Sequence, residues 1–254
     1  MVFRDPEPGF DYSLGIDTST GIGDEATVLA MARRATSGED PDIQVAEFRS
    51  NMISHVEAYP YAMALAAYYA KHMIATTRYR EPYVSVEQVQ AVGDTVYKDM
   101  WKMGYSRFHR MIRYDSKPKA TRKGRAIKTG WFTTIWSRPI LTDNFVVAVQ
   151  NGWYVVNSPW TIWEMQHWET RSTAGGREKK VHSSQSTDDG IFANAMAWFC
   201  PNDLRSLTER TRKKCQGPAP DGALPPLDVG EWGGQTVSPK GIAADWRQNL
   251  EDLR

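Results

Sequence analysis

Four carboxylates stand where apolar runs end or a helix begins. Asp17 closes the run YSLGID, just before the turn T-S-T-G, and Glu87 closes PYVSVE. Asp188 and Asp189 open the small-residue run DDGIFANAMAWF. Taken singly, each has an ordinary explanation. Asp17 is a turn residue, Glu87 a first-turn glutamate, and the aspartate pair a helix cap that favours the dipole. Brought together, three or four carboxylates repel one another strongly unless a cation neutralises them. A donor set of oxygens alone favours a hard ion, Mg²⁺ or Mn²⁺, over zinc. Such a cage suits two-metal phosphodiester hydrolysis, with the ions about 3.5–4 Å apart, and it needs no protein base. No Ser-His-Asp or Cys-His arrangement competes with it, and His109 and His167 read as structural residues.

Whether the carboxylates meet depends on the elements that carry them. Asp11–Asp17, Ala26–Ala35 and Ile43–Ser50 read as three strands separated by Ser19–Gly23 and Ser37–Pro41, hence an antiparallel meander. Ser54–Arg78 then reads as a helix with Val56, Met63, Ala67 and Ala70 near one face, Pro82–Glu87 as a buried strand and Val89–Met103 as a helix. Arg107–Arg113 alternates like a strand, and Pro139–Gln150, Trp160–Arg171 and Asp188–Phe199 read as helices. The order β-β-β-α-β-α-β makes the first and fourth strands parallel neighbours. Asp17 and Glu87 then lie side by side at the strand ends, where open α/β sheets bind ligands. At about 100° per residue, Asp188 shares a face with Phe192, Ala195 and Phe199, and Asp189 lies a quarter-turn away. If that face packs on the sheet, Asp188 points at the strand ends.

Composition narrows the class. The chain has 254 residues, 41% apolar and 24% charged, with a formal net charge of +1. That is enough chain for a sizeable core, but it carries no global basic field for nucleic acid, so such contacts must be local. Two cysteines, Cys200 and Cys215, exclude a disulfide scaffold and fit a reducing compartment. The longest apolar run, around Ala62–Ala70, falls short of the roughly 18 residues of a membrane span, and MVFRDPEPGF lacks a signal peptide's apolar core. A soluble intracellular α/β protein is expected, with one domain over 1–200 and a Pro/Gly-rich, largely irregular tail over 201–254. That tail allows a short helix at Ile242–Leu253.

The motifs resemble the nuclease domain of the large terminase subunit of tailed bacteriophages, from about Tyr12 to Phe199. The resemblance rests on YSLGIDTSTGIGDEATV, with Asp17 and a second acid Asp24, and on YVSVEQVQAVGD, with Glu87 and Gly93. It rests also on GWFTTIWSRPIL, on WYVVNSPWTIWEMQHW (a short strand and a helix carrying Glu), and on the aspartate pair. Two departures stand out. Thr187 occupies the position before the pair where many relatives have His, and no G-x-x-x-x-G-K-[ST] loop is present.

The resemblance implies an RNase H-like fold: a mixed central sheet (β-β-β-α-β-α-β) flanked by helices. It implies a metal-dependent endonuclease that cuts double-stranded, concatemeric viral DNA during genome packaging. Asp17, Glu87 and Asp188 would hold Mg²⁺ or Mn²⁺, Asp189 would join the catalytic set, and Asp24 would be a possible helper. The implied partners are double-stranded DNA, a packaging ATPase domain missing from this chain, the portal protein and the small terminase subunit. The implied location is the host cytoplasm and, transiently, the procapsid portal.

Lys117, Lys119, Arg122, Lys123, Arg125 and Lys128 form a run without an acid, read as a phosphate-contacting arm or else a solvated loop. Arg177, Lys179 and Lys180 beside Gly175–Gly176 read as a lip over the cleft or an exposed turn. Trp153, Trp160, Trp163 and Trp168 read as packing residues rather than base-stacking platforms. Two other readings stay open: another RNase H-like nuclease such as a Holliday-junction resolvase, and a non-catalytic module docking to a portal or motor.

Overall fold

A computed structural model describes residues 1–19, 25–36, 40–73, 81–88, 92–112, 127–172, 178–182 and 187–201. Chain contacts divide 1–201 from 202–254, and the second part, with Cys215 and the expected tail helix, lies outside the described residues. Among the described residues no helix is long and apolar enough to cross a membrane.

Strands β1 (Tyr12–Asp17), β2 (Thr27–Arg33) and β3 (Asp42–Ser50) form the expected antiparallel meander. Helix α1 (Ala58–Met73) returns the chain so that β4 (Tyr83–Val86) lies parallel to β1, with Ile16 opposite Val86. Helix α2 (Val92–Lys102) follows. The central sheet has the order β4-β1-β2-β3-β7, where β7 (Tyr154–Val155) pairs in parallel with β3. Every residue of β1 and β4, and nearly every one of β2, is buried, as in a sheet covered on both faces.

Side-chain alternation along β1 assigns the two coverings. Tyr12 meets Tyr69 of α1, their ring centroids 4.9 Å apart. Ser13 points the other way and donates to Ala197 O at 2.6 Å, on helix α5 (189–201). Helix α5 lies between the sheet and α3 (Ser137–Gln150), whose Leu141 and Phe145 share a core with Phe192, Ala195 and Met196.

Several elements differ from the sequence reading. Arg107–Arg113 contributes only β5 (Arg110–Ile112), which pairs with β6 (Ile127–Thr129) outside the central sheet. Its leading edge still touches the sheet, since His109 N donates to Val84 O at 2.7 Å. Helix α4 (Pro159–Gln166) stops at its C-cap His167, and Trp168–Ser172 is β8, paired with β9 (Glu178–His182). The expected helix Trp160–Arg171 thus ends at Gln166, short of Arg171. Lys179 and Lys180 lie in β9, and Arg177 falls outside the described residues. Along α1 the buried residues are Ala58, Ala62, Met63, Ala66, Tyr69 and Met73; of the expected face Met63 is buried, Ala67 and Ala70 are half-buried, and Val56 precedes the helix and is exposed.

The tryptophans need a further correction. Trp153, Trp160 and Trp163 are exposed, and of the four only Trp168 packs against the core. The buried residues of α4 are Thr161 and Glu164, so this helix turns its polar side inward and its indoles outward. The reason is across the interface. The buried Glu47 carboxylate of β3 has no cation partner among the described residues and accepts instead from Gln44 Nε2 at 2.9 Å, Ser158 Oγ at 2.8 Å and Thr161 Oγ1 at 2.7 Å. A buried carboxylate must find donors, and α4 supplies them.

Candidate metal centre

The same alternation that sends Ser13 to α5 sends Gly15 and Asp17 there too. On β4, Ser85 donates to Cys200 of α5 at 3.1 Å, so Glu87, two residues on, emerges on the same face. The register sets the two acids abreast: Glu87 N donates to Ile16 O at 2.8 Å. Their carboxyl groups are in hydrogen-bonding contact, and Asp17 also feels the charges of Asp189 and Asp188. Burial and, next, Glu87 push the Asp17 carboxyl well above the usual carboxylate range.

Helix α5 brings the aspartate pair. Its Ala193 and Ala197, not the Phe192–Ala195–Phe199 face, lie on β1. Asp189 leads that sheet-facing row, four residues before Ala193. Helix α5 is buried almost all round, so apolar periodicity along it could not pick out the sheet-facing side. Asp189 accepts from Ala26 N at 2.8 Å. Burial raises its carboxyl above the usual range, against the lowering effect of the Ala26 amide, the Thr187 hydroxyl and Arg49. Asp188 turns to the other side and is ion-paired with Arg138 of α3, whose guanidinium also lies 4.4 Å over the Phe192 ring.

Segment 132–138 closes this side of the cluster. Its Thr133 hydroxyl donates to Glu87, and its Arg138 holds Asp188. The sequence reading quoted this stretch within GWFTTIWSRPIL without assigning its residues a part. Arg49 escaped it as well, while Glu164 and Thr187 entered only as features of the resemblance, without a part in the site. For Glu164 the available signal was a lone acid in the middle of a tryptophan-rich helix.

Asp17, Glu87, Asp188 and Asp189 therefore meet in one electrostatic neighbourhood. As the side chains stand, no three His, Cys, Asp or Glu residues among the described residues form a ready cage for an ion. Arg138 and Thr133 engage two of the four acids. The chemistry of the donor set nonetheless fits a hard divalent cation: all oxygen, partly buried, and with Asp17 destabilised as an anion by its neighbours. Asp24 and the residues Lys117, Lys119, Arg122, Lys123 and Arg125 lie outside the described residues, as does the side chain of Lys128 on β6.

Comparison with solved structures places the fold. The large terminase nuclease of thermophilic phage G20c with bound cobalt superposes at a TM-score of 0.52 with 17% identity. The match covers 77% of this chain and 84% of that one. The same nuclease with bound magnesium gives 0.51 at 17% identity and the same coverage. The nuclease domain of the large terminase of Thermus phage P74-26 gives 0.51 at 16% identity, over 78% of this chain and 83% of that one. No family model matches the chain, and no curated protein matches it. The chain has the RNase H-like fold that these terminase nuclease domains share.

Proposed function

We propose that this chain is a divalent-metal-dependent endonuclease of the terminase type, cutting double-stranded concatemeric viral DNA during genome packaging. The observation that supports it above all is the convergence of Asp17, Glu87 and Asp189 at the ends of two parallel strands, with Asp188 near enough for its charge to reach Asp17, on a fold shared with terminase nucleases. Solved relatives of that fold contain magnesium and cobalt.

Asp17, Glu87 and Asp188 are the residues that would hold Mg²⁺ or Mn²⁺, with Asp189 beside them. When bound, a pair of such ions would activate water and stabilise the departing oxygen of a phosphodiester. Asp17 is the shared ligand in this reading, since it contacts Glu87 and feels the charges of Asp189 and Asp188. Asp189 is fixed by the Ala26 amide, and Glu87 is oriented by the Thr133 hydroxyl. Arg138 neutralises Asp188 and stands ready to receive a phosphate oxygen.

Residues 1–200 form the nuclease domain in this reading and 201–254 a tail. Lys117, Lys119, Arg122, Lys123, Arg125 and Lys128 hold the DNA backbone, and Asp24 is a possible helper. An ATPase domain, the portal protein and the small terminase subunit are its packaging partners, in the host cytoplasm and at the procapsid portal.

The decisive experiment is Asp17→Asn in a plasmid-nicking assay with Mg²⁺ or Mn²⁺. Cleavage is lost while DNA binding persists. Undiminished nicking by the variant overturns the assignment. Preference for four-way junctions over linear duplex would redirect it to a junction resolvase.

A further inference from the structure

A second polar cluster backs the aspartate pair, and its Thr187 and Arg49 also reach Asp189. Arg49 of β3 and Glu164 of α4 form an ion pair whose glutamate side chain is 1% exposed. Thr187, the residue immediately before the pair, closes the triangle. Its hydroxyl donates to Glu164 Oε1 at 3.0 Å and accepts from Arg49 Nη2 at 3.2 Å. The other Glu164 oxygen accepts from Ile191 N at 3.2 Å, two residues beyond the pair. One carboxylate therefore grips the backbone and side chain on both flanks of Asp188–Asp189.

Gly190 makes the grip possible. A Cβ there would fall 2.6 Å from Thr161 Oγ1, 2.7 Å from Glu164 Oε2 and 3.0 Å from Arg49 Nη1. The first turn of α5 is thus pressed against the cluster with no room for a side chain. Helix ends are also where backbone N–H groups lack intrahelical partners, and Glu164 satisfies one of them.

Resting on the function proposed above, we propose that Glu164 and Arg49, acting through Thr187, are positioning residues that fix the Asp188–Asp189 turn in its metal-binding geometry. Neither acidic side chain of the pair touches Glu164. The cluster sets where the turn sits, as outer partners orient the ligands in metal sites generally.

The test uses the full chain, with Mn²⁺ alone as probe in titration calorimetry and thermal unfolding in EDTA as the control for the apo fold. Thr187→Val removes the hydroxyl at nearly constant shape, and Thr187→Ser restores it. Glu164→Gln keeps the side-chain volume and removes the charge. Thr187→Val and Glu164→Gln are expected to bind Mn²⁺ at least about tenfold more weakly. Thr187→Ser recovers most of the affinity, and the apo melting temperature of Thr187→Val stays within about 3 °C of wild type. Wild-type Mn²⁺ affinity in Thr187→Val overturns the proposal. So does a loss of affinity that appears only with loss of the apo fold in both variants, which would make the cluster structural. Asp17→Asn separates the two levels. If wild type binds no Mn²⁺, or Asp17→Asn binds it equally well, the metal reading itself fails. If Asp17→Asn loses Mn²⁺ and Thr187→Val does not, the positioning role alone fails.

Discussion

Arg138 and Asp188 are joined across two helices: the guanidinium lies over the Phe192 ring and donates to the carboxylate at the head of α5. The positive charge therefore sits where a divalent ion must compete for the same oxygens. Arg138→Ala is expected to tighten Mn²⁺ binding, by about tenfold (about 1.4 kcal/mol) after allowing for solvent screening of a one-third exposed guanidinium. Its cleavage rate should fall, because a phosphate contact is lost with it. Weaker Mn²⁺ binding by the variant in calorimetry would show that Arg138 organises the site rather than opposing the ion.

Packing of α5 on β1 leaves no space at Gly15. A Cβ there would lie 1.9 Å from Ala193 O and 2.8 Å from Ala197 N, both backbone atoms that cannot swing aside. Gly15→Ala should destabilise the apo protein by about 3 kcal/mol, read as a lower urea midpoint. Stability within 1 kcal/mol of wild type, a bound of about that size being the floor for overpacking, would refute the close approach.

Asp17 imposes a pH dependence on the metal-free protein. Its carboxyl is pushed up in the folded state by burial and by Glu87. Such a group adds stability at acid pH, and that stability is lost as pH rises through its folded value. The protein in EDTA should melt at a lower temperature at pH 8 than at pH 5. Asp17→Asn should flatten this trend, and Mg²⁺ should raise the melting temperature more at pH 8 than at pH 5. Parallel pH trends for wild type and Asp17→Asn would sink this account.

The basic run is tested through salt. Replacing Lys119, Arg122, Lys123 and Arg125 together by Gln should weaken duplex binding and make the slope of log K against log[salt] shallower by about 3.6. An unchanged slope would show that these residues are not phosphate contacts.

The strand-end acids were legible in the sequence because strand pairing and period-2 alternation are local rules. Tyr12–Asp17 and Pro82–Glu87 announce themselves as strands ending in an acid, and β-β-β-α-β-α-β connectivity makes them parallel neighbours. The orientation of α5 was not legible. Its residues are apolar on nearly every side, so only the small-residue row Ala193–Ala197 against Gly15 distinguishes the sheet-facing side. Helix α4 misled for a related reason: an apolar inward side is the rule only where the opposing surface is apolar, and here Glu47 and Arg49 are the opposing surface. Strand β8 was hidden because Trp168 and its neighbours continue the composition of α4 past its cap.

The four acids stand on unequal footings. Asp17, Glu87 and Asp189 grow from strands and a helix walled in by the core. Thr133, which holds Glu87, and Arg138 at the start of α3, which holds Asp188, flank a connection whose Ile135 and Trp136 stand open to solvent. Any refitting that accompanies loading of the centre must therefore be accomplished from that rim, while the floor beneath keeps its shape.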